Sequence, residues 1–257
     1  MRKHAIPCVV IGTIVMAGSA SAATNLVVNG SFEGATGVLP TGWSLGGTVS
    51  DHAPPVAIQY HQMSSYPFGA QGEAVPTDNA ISLSPDAAGS NGVYFVTDEA
   101  KNLSLFQIVH LSPGSYDIGF DSYDTFNGNM QPHDATLTAD IAGVELANFD
   151  LASVAPGVWD SHSGVAKITT AGNYLVSFIF NTPDTPANPD PTNPSGEFNA
   201  KDVVIDRAFV ISDAAGGGVS IPAAAAPEPS TWVMMISGFS LVGYLMRRRV
   251  SRVGSFG

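Results

Sequence analysis

Cysteine is almost missing from this 257-residue sequence. The single cysteine, Cys8, lies in an apolar stretch near the N-terminus, and the preceding Ile6-Pro7 does not form a lipoprotein acylation site. The rest of the chain therefore has no disulfide, no thiol nucleophile and no thiolate metal site. A domain in this region must be stabilised by its apolar core, with at most an oxygen-ligated metal to help it.

Basic residues are also few, with ten Lys and Arg against 22 Asp and Glu. Six of the ten lie close to the two ends of the chain, so residues 24–227 contain four basic and 21 acidic residues, a net charge of −17. Such a surface does not neutralise phosphates, which argues against binding of nucleic acid or other polyanions. It favours solubility and the binding of divalent cations.

Catalytic signatures are missing too. The sequence contains no G-x-S-x-G, H-E-x-x-H, P-loop or G-x-G-x-x-G pattern, and its histidines show no paired metal-ligand spacing. Carboxylates are numerous, so the residue types alone do not exclude the two catalytic carboxyl groups of a glycosidase. Such a pair would need a separation of roughly 5–5.5 Å or 6.5–9.5 Å in a cleft. We favour a non-enzymatic protein and keep a secreted carbohydrate-active hydrolase as the alternative.

The N-terminus has the three regions of a secretory signal. A basic pair, Arg2-Lys3, precedes an apolar stretch at 6–17 and the small residues Ala20-Ser21-Ala22. We predict that residues 1–23 form a signal peptide, cleaved by signal peptidase after residue 22 or 23. A transmembrane anchor is the poorer alternative because the apolar stretch is short.

The C-terminus carries a second apolar segment. Residues 231–246, TWVMMISGFSLVGYLM, are uncharged, and three arginines follow them. As a helix this segment spans roughly 24 Å, somewhat less than the roughly 30 Å hydrocarbon core of a bilayer. We predict a short transmembrane helix in the inner membrane with the arginines in the cytoplasm and the domain outside. A buried C-terminal helix is the alternative.

The residues around this helix resemble the PEP-CTERM sorting tail. Pro227, Glu228 and Pro229 precede the helix, and Arg247, Arg248 and Arg249 follow it, in the order that marks the family. The resemblance implies that an exosortase recognises residues 227–252, cleaves near Pro-Glu-Pro, and releases the protein or attaches it at the cell surface. Its members tend to occur in bacteria that make exopolysaccharide.

Residues 24–213 have the pattern of an all-β domain, because Gly, Pro, Asn and Asp recur at short intervals and helical periodicity is nearly absent. At 115–123 apolar residues alternate with Asp or Gly, which predicts a strand with one buried face. We expect it to pair with a strand at 103–111 across Ser112-Pro113-Gly114. Further strands are predicted at 173–180, where both faces look covered, at 203–211, with Val203, Ile205, Arg207 and Phe209 on one side, and in a hairpin of 136–141 with 144–149.

Three segments lack a strand pattern. Residues 50–91 are expected to form a long loop, and loops of this length in compact domains are often functional. Residues 181–200 contain five prolines and predict an extended loop. Residues 214–226 are rich in Gly and Ala and predict a linker between the domain and the tail.

The domain also resembles the jelly-roll β-sandwich of carbohydrate-binding modules of the galactose-binding-like class. The run 25–33 followed by Leu39-Pro40-Thr41-Gly42-Trp43 resembles their first strand, and 103–123 and 203–210 resemble their middle and last strands. The resemblance implies that Glu33 and Asp206 hold a structural Ca²⁺, since they match the carboxylates that do so in many of these modules. Two solvated acids are the equal alternative.

Aromatic side chains supply what a sugar-binding surface needs, because pyranose C–H faces stack on rings. Our candidates for glycan contact are Tyr66, Phe68, Tyr123 and Phe126, which have turn residues as neighbours; Trp43 fits core packing better. The favoured function is an exported cell-surface or matrix protein that binds extracellular polysaccharide. A matrix protein with a purely structural role is the alternative that ranks between this function and the hydrolase.

Overall fold

The computed structural model describes residues 23–48, 53–97, 100–126, 134–182 and 201–213. Within them the chain forms ten strands in two five-stranded antiparallel sheets, which confirms the expected all-β jelly-roll sandwich. The first sheet has the order β1-β4-β9-β6-β7 and the second β2-β3-β10-β5-β8. The strands are β1 (Ser44–Thr48), β2 (Val56–Gln59), β3 (Asn91–Phe95), β4 (Lys101–Leu111), β5 (Gly114–Asp124), β6 (Thr136–Ile141), β7 (Val144–Asp150), β8 (Trp159–Ile168), β9 (Gly172–Asn181) and β10 (Val203–Ser212), with a 3₁₀ turn at Leu151–Ser153.

The main core lies between the two sheets. Alternate residues of the long strands point inward, and the aromatic rings interlock there: Phe120 lies 5.0 Å from Phe178, and Phe95 lies 5.6 Å from Phe180, between ring centroids. Trp43 packs at 5.0 Å from Phe32 and 5.9 Å from Phe178, in the core position expected for it. Each fully buried side chain of this size contributes about 1.5–3 kcal/mol to folding.

The hairpin of β6 and β7 is confirmed, and its turn explains its sequence. Ala142 and Gly143 connect the strands with φ of 54° and 80°. Two consecutive residues with positive φ form the turn whose twist matches that of antiparallel strands, and glycine adopts this conformation without strain.

The expected pairing of 103–111 with 115–123 is wrong, although both strands exist. β4 pairs with β1 and β9, whereas β5 pairs with β10 and β8. The turn between them takes the chain from one sheet to the other, and Tyr116 stabilises it by hydrogen bonds with both backbone groups of Ser112. An apolar face shows that a strand borders a core, but it does not show which strand lies beside it.

The expected side-chain order along β10 is also wrong beyond Asp206. The register shifts between Asp206 and Phe209, and Arg207 has φ of 48°. An extra residue in one strand reverses the faces that follow it. Val203 and Ile205 therefore face the main core, but Ala208 and Val210 do so after the bulge.

The expected first strand at 25–33 forms turns instead. Asn29 and Phe32 both have φ of 52°, which interrupts an extended conformation. The segment runs beside β10 through separate hydrogen bonds, from Leu26 N–H to the Val210 carbonyl and from Ala208 N–H to the Gly30 carbonyl, each 2.9 Å.

No helix within the described ranges is long and apolar enough to cross a membrane. Residues 1–22 of the predicted signal peptide, most of the predicted 181–200 loop, the predicted linker, the predicted helix at 231–246 and the six sorting residues lie outside those ranges. The predicted domain boundaries stay predictions.

Candidate functional site: a covered face and an open face

Part of the outward face of the second sheet is covered by the chain itself, while the outward side of β8 beyond Trp159 is exposed. Residues 60–90, most of the expected long loop, lie across the covered part, and we call them the covering segment. Side chains of this segment and of the sheet form a second buried cluster: Val56, Ile58, Tyr60, Ala70, Val75, Tyr94, Tyr123, Trp159 and Val204. The segment is thus packed on the sheet over an apolar layer of its own.

Polar ends of the buried rings bind the covering segment. The indole N–H of Trp159 donates to the Pro76 carbonyl at 3.0 Å, and the Tyr123 hydroxyl donates to Glu73 Oε1 at 2.5 Å. A ring that buries its apolar body needs such a partner for its polar atom. These bonds fix the segment against both β5 and β8.

Beneath the covering segment lies a group of charges that we call the acid cluster: Asp78, Asp121, Asp206 and Arg207, with the Tyr60 hydroxyl. Arg207 Nε lies 2.5 Å from Asp78 Oδ2 and 2.8 Å from Asp121 Oδ2. Tyr60 donates to Asp206 Oδ2 at 2.6 Å. The bulge in β10 turns Arg207 toward this side, so that one guanidinium faces carboxyl groups from β5 and from the covering segment.

Burial sets the protonation of the acid cluster. Burial, reinforced by the neighbouring Asp78 and opposed by Arg207, raises the pKa of Asp121 to about 7. Burial also raises the pKa of Asp206 well above its usual range. The side chains of Asp78 and Asp121 and the whole of Asp206 have no exposed surface. These carboxyl groups lie close together but out of reach of a glycan.

Among the described residues no segment lies across the outward face of the first sheet, and we call it the open face. Its centre is apolar: Phe106 and Ile108 on β4 lie beside Leu175 and Ile179 on β9. Ile108 is 59% exposed and Leu175 44% exposed. Exposed apolar residues grouped in this way mark interaction surfaces more often than single ones do.

Polar side chains border this apolar centre on β6 and β7. Thr138 pairs with Ile179 on one side and with Asn148 on the other, and Asn148 Nδ2 donates to Glu145 Oε1 at 3.5 Å. Asp140 Oδ1 accepts from the Gly143 amide at 3.2 Å. Hydroxyl, amide and carboxylate groups beside an apolar surface can bond the hydroxyls of a ligand that packs on that surface.

Of the four aromatic residues predicted to contact glycan, the two exposed ones lie on separate parts of the second sheet. Phe68 and Phe126 are 58% and 57% exposed, but Phe68 lies beside β2 and Phe126 follows β5, with β3 and β10 between those strands. Tyr66 is half-buried and donates to the Pro54 carbonyl. Tyr123 is 3% exposed and belongs to the second cluster, so its ring has no open face for stacking. Glycan contact by this set stays a prediction.

The two carboxylates predicted to hold calcium have separate partners. Glu33 Oε1 accepts from the amides of Ser90 and Asn91 at 2.7 and 3.0 Å, while Asp206 accepts from Tyr60 and from its neighbour's amide. Calcium needs six to eight oxygen ligands. In the described part of the chain no three His, Cys, Asp or Glu side chains are arranged to hold a metal. The calcium site gains no support from this arrangement and stays a prediction.

The open face and the acid cluster were both missed in the sequence. Apolar residues on both sides of 173–180 suggested that both faces of this strand were covered, yet Leu175 is exposed. Apolar side chains on the side away from the core could equally have indicated a binding surface. For Asp78 and Asp121 no signal was available, because an acid that alternates with apolar residues resembles a solvent-facing one.

The tail is assigned by its sequence. Residues 225–249 match the PEP-CTERM protein-sorting motif. The chain carries a PEP-CTERM signal. The PEP-CTERM match includes Pro-Glu-Pro and the arginine cluster, as expected from their order, and it marks an exported protein that an exosortase sorts to the cell surface.

Solved structures similar to this chain include several carbohydrate-binding modules. TmCBM61 in complex with beta-1,4-galactotriose is 15% identical over 74% of this chain and 99% of that chain, with a TM-score of 0.42. A family 16 carbohydrate-binding module is 14% identical over 73% and 100%, with a TM-score of 0.39. The CBM22-2 xylan-binding domain of Paenibacillus barcinonensis Xyn10C is 8% identical over 67% and 92%, with a TM-score of 0.34. Among curated proteins none matches the chain.

Proposed function

We propose that this PEP-CTERM protein is a non-enzymatic cell-surface or matrix protein that binds extracellular polysaccharide through the open face. The observation that carries the proposal is the difference between the two sheets: on one outward face the covering segment packs over the aromatic and apolar side chains of the sheet, whereas the other presents an apolar centre beside polar side chains. The sorting signal supports the location, since it directs the protein to where such polymers occur.

The shape of the open face suits an extended polymer. From β4 to β7 it spans three strand spacings, about 14 Å. Ser104, Ile179, Thr138 and Asn148 form one row across these strands. A chain lying along such a row can pack its apolar surface on β4 and β9 and bond its hydroxyls on β6 and β7.

The position of the carboxyl groups favours binding over hydrolysis. A glycosidase needs two carboxyl groups on either side of the scissile bond. The close carboxyl groups of the acid cluster are sealed beneath the covering segment, and Arg207 bonds two of them. The alternative of a hydrolase therefore gains no support from the acid cluster.

Binding of the full chain to exopolysaccharide purified from its host tests the proposal. Leu175→Ser and Phe106→Ala should each weaken binding about tenfold, which corresponds to about 1.4 kcal/mol. Val165→Ser is the matched control for Leu175→Ser, because Val165 is 51% exposed but lies on β8 in the other sheet. The melting temperature of each variant is measured alongside to separate lost binding from lost folding.

Two results would contradict this assignment. If the unmutated chain does not bind the polymer, the structural matrix role replaces the binding role. If Phe68→Ala weakens binding and Leu175→Ser does not, the binding surface lies at the covering segment, as the sequence predicted.

A further inference from the structure

A cavity lies at one end of the open face, where β6 begins and β9 ends. Its volume is about 260 Å³, and the described residues that line it are Asp134, Ala135, Thr136, Asn181 and Thr182. Pockets for drug-sized ligands usually measure about 300–1,000 Å³. This cavity is smaller than that range, so it suits one sugar ring better than a longer oligosaccharide.

The cavity lies to one side of the row of side chains along which we place the polymer. Thr136 and Asn181 are cross-strand partners on β6 and β9, and Thr138 and Ile179 are the next pair on the same face. Two residues of a strand correspond to about 7 Å. A polymer chain that follows the row through Thr138 and Ile179 therefore passes beside the cavity. A sugar attached to the side of that chain can enter it.

The polar groups of the cavity suit an uncharged sugar. Asn181 Oδ1 accepts from the Asn102 amide at 2.6 Å, so the NH₂ group of Asn181 is the part that can donate to a ligand. The Thr136 hydroxyl can donate and accept, as sugar hydroxyls do. Asp134 Oδ1 lies 3.6 Å from Lys201 Nζ, so the carboxylate at the cavity already has a cation beside it. Neither a uronic acid nor an amino sugar finds an unbalanced opposite charge there.

We propose that this cavity binds a neutral sugar branch of the polysaccharide that lies on the open face. The inference rests on the proposed function and specifies its substrate class, a branched polymer with uncharged side residues. The main chain packs on Ile179, while one branch residue fills the cavity beside Ala135 and bonds Thr136 and Asn181. Because both parts bind at once, the protein prefers a branched polymer to a linear one.

The exopolysaccharide of the host gives the first test. Methylation analysis counts its branch points, and mild acid removes the branches from one portion, which is then purified again. We expect the native polymer to be branched and the released sugars to carry no charge on an ion-exchange column. The full chain should bind the native polymer at least tenfold more tightly than the debranched polymer.

Variants locate the effect. Thr136→Leu places a larger apolar side chain in the cavity and should weaken binding of the native polymer about tenfold, with binding of the debranched polymer unchanged. Thr136→Val removes only the hydroxyl and should have a smaller effect of the same kind; it replaces the leucine variant if the melting temperature of that variant falls. Ser163→Leu is the control, because Ser163 is exposed on β8 in the other sheet, and it should bind both polymers as the parent does.

The outcomes separate this inference from the proposed function. If the polymer that the chain binds is linear, or if its branches are charged, the neutral branch is refuted and the binding function stands. If Thr136→Leu and Thr136→Val weaken binding of both polymer forms equally, or of neither, while Leu175→Ser weakens both, the cavity does not bind a branch and the function again stands. If the unmutated chain binds neither form, both are refuted.

Discussion

Replacing Asp121 with asparagine should make the stability of the sandwich less dependent on pH. Asp121 is buried in the acid cluster, and its pKa is raised from 3.8 to about 7. The folded protein therefore holds this proton more tightly than the unfolded chain does. The stability that this contributes is fully present below pH 4, falls as the pH rises, and is lost above pH 7.

The size of the effect follows from the shift. About three pKa units correspond to up to about 4 kcal/mol between pH 4 and pH 8. Asp202, whose pKa burial raises to about 6, and Asp206 act in the same direction. His162 acts in the opposite direction, because burial lowers its pKa and its protonation at acidic pH costs stability. Comparing the variant with the parent at each pH cancels the contribution of His162.

Urea unfolding of the full chain at pH 5, 6, 7 and 8 measures the free energy of unfolding for both proteins. We expect Asp121→Asn to be the less stable protein at pH 5, where it lacks the protonated carboxyl, and to lose less stability than the parent toward pH 8. Asp160→Asn, at an exposed acid, is the control and should run parallel to the parent. Parallel curves for Asp121→Asn as well would refute the argument that this carboxyl is charged at a cost inside the fold.

Two further predictions concern packing and processing. Gly119→Ala should destabilise the sandwich by about 1–3 kcal/mol, because a Cβ there lies 2.5 Å from the His162 carbonyl oxygen. Gly172→Ala is the control and should cost less, because the atom nearest to its added Cβ lies at 3.9 Å. Equal melting temperatures of the two variants would contradict this prediction. Mass spectrometry of the protein secreted by its host should show an N-terminus at Ala23 or Thr24 and loss of the tail beyond Pro-Glu-Pro, and recovery of the intact tail from the extracellular form would count against sorting.

Strand patterns in the sequence predicted the long strands well. β4, β5, β9 and β10 appear within a few residues of their expected limits, because each alternates between an apolar core side and another side. Their arrangement was not predictable in the same way. Alternation shows which side of a strand faces the core, but it carries no information about which strands lie next to it. The assignment of β4 and β5 to different sheets therefore had to come from the structure.

The packing of the covering segment on the second sheet was not predictable from the sequence for a different physical reason. Its hydrogen bonds go to side chains and backbone groups far along the chain, as between Arg207 and Asp78, 129 positions apart. Such contacts need no local periodicity. The alternation of Ile118 and Phe120 with Asp121 suggested one buried face, whereas both faces of β5 are buried because the covering segment supplies a second apolar layer.

The place of β10 in the second sheet has a consequence for folding. β10 is the last strand of the described residues, yet it lies between β3 and β5. Until residues 203–212 have been synthesised, the second sheet consists of two separate pairs, β2 with β3 and β5 with β8, and neither pair can close the core. Because closure depends on contacts so distant in sequence, folding is slow to begin. The second sheet therefore cannot be completed before residues 203–212 are available, which makes its folding depend on the C-terminal part of the domain.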